Sequence, residues 1–163
     1  MPFLVYVAGP YRAKTAWDIN CNIHKARVWG AALAKCGAYP VIPHSNTANF
    51  DGIADDSLWL EGTLALLTRC DAAIFIDGWR ESSGSKAEWE RANSLLMPVL
   101  DVDGWSSRGE AAISGSLRDW LAAPRCSPPC APGGCDGSCG MPYDVGCAGL
   151  ASVLRERTED GEP

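Results

Sequence analysis

Four short apolar runs, FLVYVAG, AYPVIP, DAAIFI and PVLDV, punctuate the chain between Phe3 and Val102. Each is strand-length and apolar nearly throughout, the pattern of strands covered on both faces. The stretches between them have helical periodicity. From Ile19 to Cys36, residues Ile23, Ala26, Gly30 and Leu33 share one face, and Gly37 supplies a stop. SLWLEGTLALLTRC reads as a second helix, capped by Asp56 or Ser57, and GSKAEWERANSLL as a third, opened by Gly84-Ser85. AAISGSLRDWLAA is a weaker fourth, with Gly115 inside it. A strand that alternates with a helix must return to the same edge direction, which makes a parallel sheet. The expectation is an α/β fold, a Rossmann-like or flavodoxin-like parallel sheet with strand order 2-1-3-4 and helices on both faces. Pro40 argues that AYPVIP is an edge strand or begins at that residue.

The periodic pattern occupies residues 1–123 and predicts one α/β domain. In residues 124–149, Pro, Gly, Cys and Asp displace periodic apolar residues, and residues 150–163 read as a short helix and tail. A chain of 163 residues with 47% apolar residues can bury a core of ordinary size. The net charge of -6, with no run of Lys or Arg, argues against a partner that is polymeric nucleic acid. No apolar run approaches the roughly 20 residues of a membrane helix, and MPFLVYVAGPYR opens as a strand rather than a basic leader. The expected localisation is cytoplasmic, with no membrane partner.

In open parallel sheets ligands bind beyond the carboxyl ends of the strands. Three polar stretches stand there: AGPYR, PHSNTANFDG and DGWRESSGS. Gly9 permits close approach of a ligand, and Arg12 offers a fork to an anion. Gly84 and Ser85, at a helix start, with the hydroxyls of Ser82 and Ser83, can hold a phosphate, although Ser and Gly serve plain caps and turns everywhere. Glu88 shares a face with Ala92 and Leu95 and points toward the sheet, whereas Glu90 faces solvent beside Lys86. A carboxylate held against low-dielectric walls can act as nucleophile or base, and a helix N-terminus favours its ionised form. An acidic residue near a helix start is also favourable with no function at all. His44, in the loop past the second strand, is a candidate ligand contact; His24 reads as a surface residue. The chain has no G-x-G-x-x-G after its first strand, no G-K-[S/T] and no H-E-x-x-H, so neither a dinucleotide fold, a Walker loop nor a catalytic zinc is expected.

YVAGPYR and CDAAIFIDGWRESSGSKAEWERA, in that order, resemble the nucleoside 2-deoxyribosyltransferase-like superfamily. This superfamily includes deoxyribonucleoside 5′-monophosphate N-glycosidases and uncharacterised phage-linked members. The resemblance covers about the first two thirds of the chain. It implies that Glu88 attacks C1′ and forms a glycosyl-enzyme intermediate, with Tyr6 close to the nucleophile and Gly9 and Arg12 touching sugar and phosphate. Ser82, six residues before Glu88, stands where monophosphate hydrolases carry a phosphate-binding serine and nucleoside transferases an aspartate. Thr63 stands where the characterised enzymes carry an aspartate that assists at the leaving base or orients the nucleophile, and Glu61 would face elsewhere. Asp77, just past the third strand, is a candidate to contribute there. The resemblance implies no cofactor, a small-molecule nucleotide or nucleoside as substrate, and a homodimer or higher homo-oligomer. Cleavage or transfer of the N-glycosidic bond of a nucleoside 5′-monophosphate is expected. A nucleoside deoxyribosyltransferase, or a nucleotide-binding module without catalysis, is the alternative.

Cys21, Cys36 and Cys70 lie singly and read as small buried hydrophobes. Cys126, Cys130, Cys135, Cys139 and Cys147 crowd one segment with C-x3-C-x4-C-x3-C spacing. Zinc ribbons and fingers use C-x2-C knuckles, so a structural zinc, free thiols in a flexible tail and a disulfide pair all remain open, and no metal is expected in the α/β domain.

Overall fold

The computed structural model describes residues 1–123. Four strands form one parallel sheet: β1 (Leu4–Ala8), β2 (Tyr39–Val41), β3 (Ala72–Phe75) and β4 (Val99–Asp101). Their order is β2-β1-β3-β4, as the alternation predicts. Pairing runs Tyr6 with Val41 on one side and Tyr6 with Ala73 on the other, then Ile74 with Leu100. The helices are α1 (Ala16–Lys35), α2 (Pro43–Asn46), α3 (Asp56–Leu67), α4 (Ser83–Ser94) and α5 (Glu110–Ala122). The single-turn helix α2 falls in a stretch that reads as loop from sequence. Pro43 at its first turn, where no N–H is needed, accounts for it.

Strand periodicity separates two cores. Val5 and Val7 of β1 and Ile74 of β3 join Trp29 and Leu33 of α1 with Leu117 and Trp120 of α5. Tyr6 and Ala8 of β1 and Ala73 and Phe75 of β3 face the other way, against Leu67 of α3 and Ala92 of α4. The chain leaves β1 through α1 toward β2, and reaches β3 on the opposite side of β1. Right-handed crossovers in opposite directions must lie on opposite faces, so α1 and α3 are separated by the sheet. Tyr6 therefore faces α3 and α4.

Helix ends follow local chemistry. Thr15 caps α1 by accepting from the Asp18 N–H at 3.1 Å. Gly30 lets α1 lie close to the second strand; a Cβ there would stand 2.3 Å from Ile42 Cδ1. Cys21, Cys36 and Cys70 are half-buried free thiols, less enclosed than their apolar settings predict. The crowded cysteines from Cys126 onward lie outside the described residues. Among those residues, no helix is long and apolar enough to cross a membrane.

Ile74 is fully buried at the centre of the sheet. Ile74→Ala is expected to cost about 2–5 kcal/mol of stability. Urea unfolding checks this, and a loss below about 1 kcal/mol would contradict the packing described.

Candidate active site

A cavity of about 490 Å³ opens where the strand order reverses between β1 and β3. The β1–α1 loop supplies Gly9, Pro10, Tyr11 and Arg12; the segment after β2 supplies His44, Thr47, Phe50 and Asp51. Asp56, Trp59, Leu60 and Thr63 come from α3, and Gly78, Glu81 and Ser82 to Ser85 from the β3–α4 loop, with Glu88 one turn on.

The rotation of α4 is set by aromatic packing. Trp89 stacks on Trp79 at 4.5 Å and meets the edge of Phe75 at 4.8 Å. That holds Glu88, the preceding residue, against the sheet, with Ala92 buried one turn later. Leu95 is the C-cap and emerges into solvent, so the inward stripe ends sooner than its spacing suggests. Glu90 is exposed, as is Lys86. The loop ahead of α4 is fastened to β4: Arg80 grips Asp101 and Asp103, the latter at 2.5 Å, and lies over the Trp79 ring.

Tyr6 donates its hydroxyl to Glu88 Oε1 at 2.5 Å, and both residues are buried. Tyr6 is fully enclosed and stands behind the carboxyl, outside the cavity lining. Its hydroxyl fixes one oxygen of the Glu88 carboxyl. Thr63 Oγ1, which donates to the Leu60 carbonyl at 3.0 Å, is also within hydrogen-bonding reach of the Glu88 carboxyl. One hydroxyl hydrogen serves one of these acceptors at a time. Burial pushes the Glu88 carboxyl up to about 7, and the hydroxyls of Tyr6 and Thr63 only moderate the rise. The helix start therefore does not keep Glu88 fully ionised at neutral pH, contrary to expectation; desolvation outweighs it. Burial, then the neighbouring Glu88, hold the Tyr6 phenol well above its ordinary value.

His44 is 6% exposed and touches the Gly9 and Pro10 carbonyls through Nε2 at 3.0 and 3.2 Å. Carbonyls only accept, so Nε2 carries the hydrogen and Nδ1 is left as an acceptor without a protein partner. Burial lowers the His44 pKa, which keeps the ring neutral. It is not a cationic phosphate contact. Gly9 is required by close packing: a Cβ there would lie 2.4 Å from Ile76 Cγ1.

The helix begins one residue earlier than the Gly84-Ser85 reading. Ser82 is the N-cap and accepts from the Ser85 N–H at 3.3 Å. Its own O–H remains free to donate. Ser85 Oγ is buried, lines the cavity and has no partner. Arg12 also lines the cavity, but its guanidinium is paired with Asp56. Both side chains are exposed, so the pair contributes little and can exchange. Asp77 is elsewhere. It accepts from the Gly104 N–H and the Ser106 hydroxyl, fastens the turn after β4, and does not line the cavity.

Residues 3–102 match a family defined as a domain of unknown function, DUF7768. The chain belongs to the DUF7768 family. No curated protein matches it significantly. The DUF7768 match spans β1 through β4, and so takes in every residue of the cavity lining. The DUF7768 topology seen here is compatible with nucleoside-deoxyribosyltransferase-like enzymes in general.

Sequence reasoning missed the aromatic wall. Phe50 and Trp59 pack at 6.1 Å, Trp59 Nε1 donates to the Ala54 carbonyl, and Tyr11 lies 6.1 Å from the His44 ring. The available signal was a Phe in a polar loop beyond a strand end, followed by a Trp in the next helix. Among the described residues no group of three or more His, Cys, Asp or Glu could hold a metal ion.

The buried carboxyl makes stability depend on pH. Its folded-state pKa is above the unfolded value near 4.5. The stabilising protonated form is therefore complete below about 4.5 and lost as pH rises through about 7, at a cost on the order of 3 kcal/mol. Glu88→Gln removes that dependence. Its melting temperature is expected to exceed the wild type's increasingly as pH rises from about 4.5 to about 7, and by a constant margin above that. A gap that does not change between pH 5 and 7 would contradict the raised pKa of the buried carboxyl.

Proposed function

We propose that this protein cleaves or transfers the N-glycosidic bond of a nucleoside 5′-monophosphate, with Glu88 as the nucleophile. The observation that carries this reading is the Glu88 carboxyl, buried, oriented by Tyr6 and lining a cavity at the switch point of the sheet. Its resemblance to the nucleoside 2-deoxyribosyltransferase-like superfamily supports the same assignment, since Tyr6, Gly9, Arg12, Ser82 and Glu88 converge on one region.

Ionised Glu88 attacks C1′ and the base leaves, giving a glycosyl ester; water or a second base then opens it with overall retention. Tyr6 fixes one carboxyl oxygen and leaves the other for attack. The start of α4, with the Ser82, Ser83 and Ser85 hydroxyls, supports a 5′-phosphate, and Arg12 can move from Asp56 to that anion. Phe50, Trp59 and Tyr11 supply the aromatic side chains of the lining, against which a base could pack. The site needs no cofactor for these steps.

A second reading, a nucleotide-binding module without catalysis, is favoured by one residue. Thr63 is beside Glu88 where the resemblance implies an aspartate. The two readings separate experimentally. Glu88→Gln is expected to lower base release by at least about 1,000-fold while leaving nucleotide affinity largely intact, and Glu90→Gln to change neither. Chromatography of released base and calorimetric titration measure both quantities. Undiminished release by Glu88→Gln would reject the nucleophile. Tight nucleotide binding with no release by the wild type would establish the binding module instead.

A further inference from the structure

Three features of the cavity remain unexplained by a 5′-phosphate and a neutral base. The first is charge. Arg12 stands alone against the exposed carboxylates of Asp51, Asp56 and Glu81, and Asp56 already occupies Arg12. That excess of negative charge opposes a nucleotide with a dianionic phosphate unless the ligand also brings positive charge.

The second is the want of a proton donor. A neutral base leaves as an anion unless it is protonated, and a general acid there contributes roughly 100- to 10,000-fold. Glu88 cannot be nucleophile and acid in the same displacement. Tyr6 gives its hydrogen to Glu88, and burial holds its pKa well above the ordinary value. His44 is neutral, its Nε2–H is committed to two carbonyls, and its other nitrogen is a lone pair. Tyr11 donates to Asp51, and Asp56 accepts from Arg12. Thr63 offers only an alcohol, which does not yield a proton at neutral pH.

The third is the pair of aromatic side chains, Phe50 and Trp59, in the same lining. A lining that combines aromatic side chains with the carboxylates of Asp51, Asp56 and Glu81 favours a planar cation.

We infer that the substrate of this site is a nucleoside 5′-monophosphate whose glycosidic ring already carries a fixed positive charge, a quaternary pyridinium or an N7-alkylated purine. This rests on the reading of Glu88 as nucleophile. The step balances without an acid. Glu88 Oε forms a bond to C1′, the C1′–N bond breaks, and its electron pair returns to the ring nitrogen and neutralises the ring. Water then attacks C1′, the ester bond's pair returns to Glu88, and one proton enters solvent. A cation held near Glu88 also lowers the carboxyl's pKa from about 7 and so increases the nucleophilic form, whereas a phosphate without that cation raises it. The unpartnered His44 Nδ1 and Ser85 Oγ are the remaining buried polar atoms of the lining, suited to a sugar hydroxyl and a phosphate oxygen.

The test uses the full chain and matched pairs. Base release is measured from 7-methylguanosine 5′-monophosphate against guanosine 5′-monophosphate, and from nicotinamide mononucleotide, with the Glu88→Gln protein as background. Glu88-dependent kcat/KM is expected to be at least about 100-fold higher for the methylated member of the pair, the loss of acid catalysis falling on the neutral one alone. Turnover of nicotinamide mononucleotide only, or of the methylated purine only, supports the proposal and tells pyridinium from purine. Since alkylation also raises intrinsic reactivity, competition is a second readout: 1-methylnicotinamide should inhibit at least about 10-fold better than uncharged nicotinamide. Equal inhibition by the two would overturn the charge preference. Glu88-dependent release from guanosine 5′-monophosphate at an equal or higher rate would overturn the cationic substrate while leaving Glu88 as nucleophile. Absence of Glu88-dependent release from every nucleotide would remove both.

Discussion

A carboxyl group pressed against the central strand of a parallel sheet is expensive unless something in the fold answers it. Here the answer is the Tyr6 hydroxyl, 82 residues away in sequence and 2.5 Å away in space. Around that bond the other elements have fixed duties. β1 must present Tyr6 to the face of α3 and α4, α4 must be rotated by Trp89 and Trp79 so that Glu88 turns inward, and α3 must bring Thr63 alongside. The hydrogen bond offsets only part of the desolvation, which leaves Glu88 titrating near neutrality. A group poised there is suited to chemistry, because small changes in its surroundings alter how much of it is ionised.

The loops divide the remaining work. The β3–α4 loop is stiff: Ser82 caps the helix, Arg80 ties the loop to two aspartates at the end of β4, and Asp77 fastens the following turn. A loop fastened in this way, with hydroxyls at a helix start, has the chemistry to hold an anion without rearranging. The opposite rim is looser. Arg12 and Asp56 meet in solvent, and Phe50 and Trp59 stand half in water. Reorganisation on binding would cost least on that rim.

Much of the fold is legible in the residues. Four apolar runs and the helices between them suffice for the order β2-β1-β3-β4, because handedness leaves few other arrangements. The inward direction of Glu88 follows from its spacing to Ala92. What periodicity does not carry is the depth of burial, so the rise in the Glu88 pKa and the neutrality of His44 could not be read from the chain. Asp77 sits just past a strand end, where a ligand contact is reasonable, yet its oxygens are consumed by Gly104 and Ser106, a pairing across 27 and 29 residues that no local pattern reveals. Thr63, Phe50 and Trp59 converge only when α3 folds over the β1–β3 junction. The DUF7768 match, from residue 3 to residue 102, encloses all of them.

The central claim is that Glu88 bonds to C1′ of a nucleotide. The most direct measurement is peptide mass spectrometry of protein quenched during incubation with a 2′-fluoro-arabinosyl nucleotide, whose fluorine slows release of the sugar from the enzyme. A glycosyl-phosphate mass added to the peptide bearing Glu88, and absent from the Glu88→Gln protein, is the predicted result. Release of free base with the Glu88 peptide unmodified at every time point, or the same adduct on another residue, would contradict it.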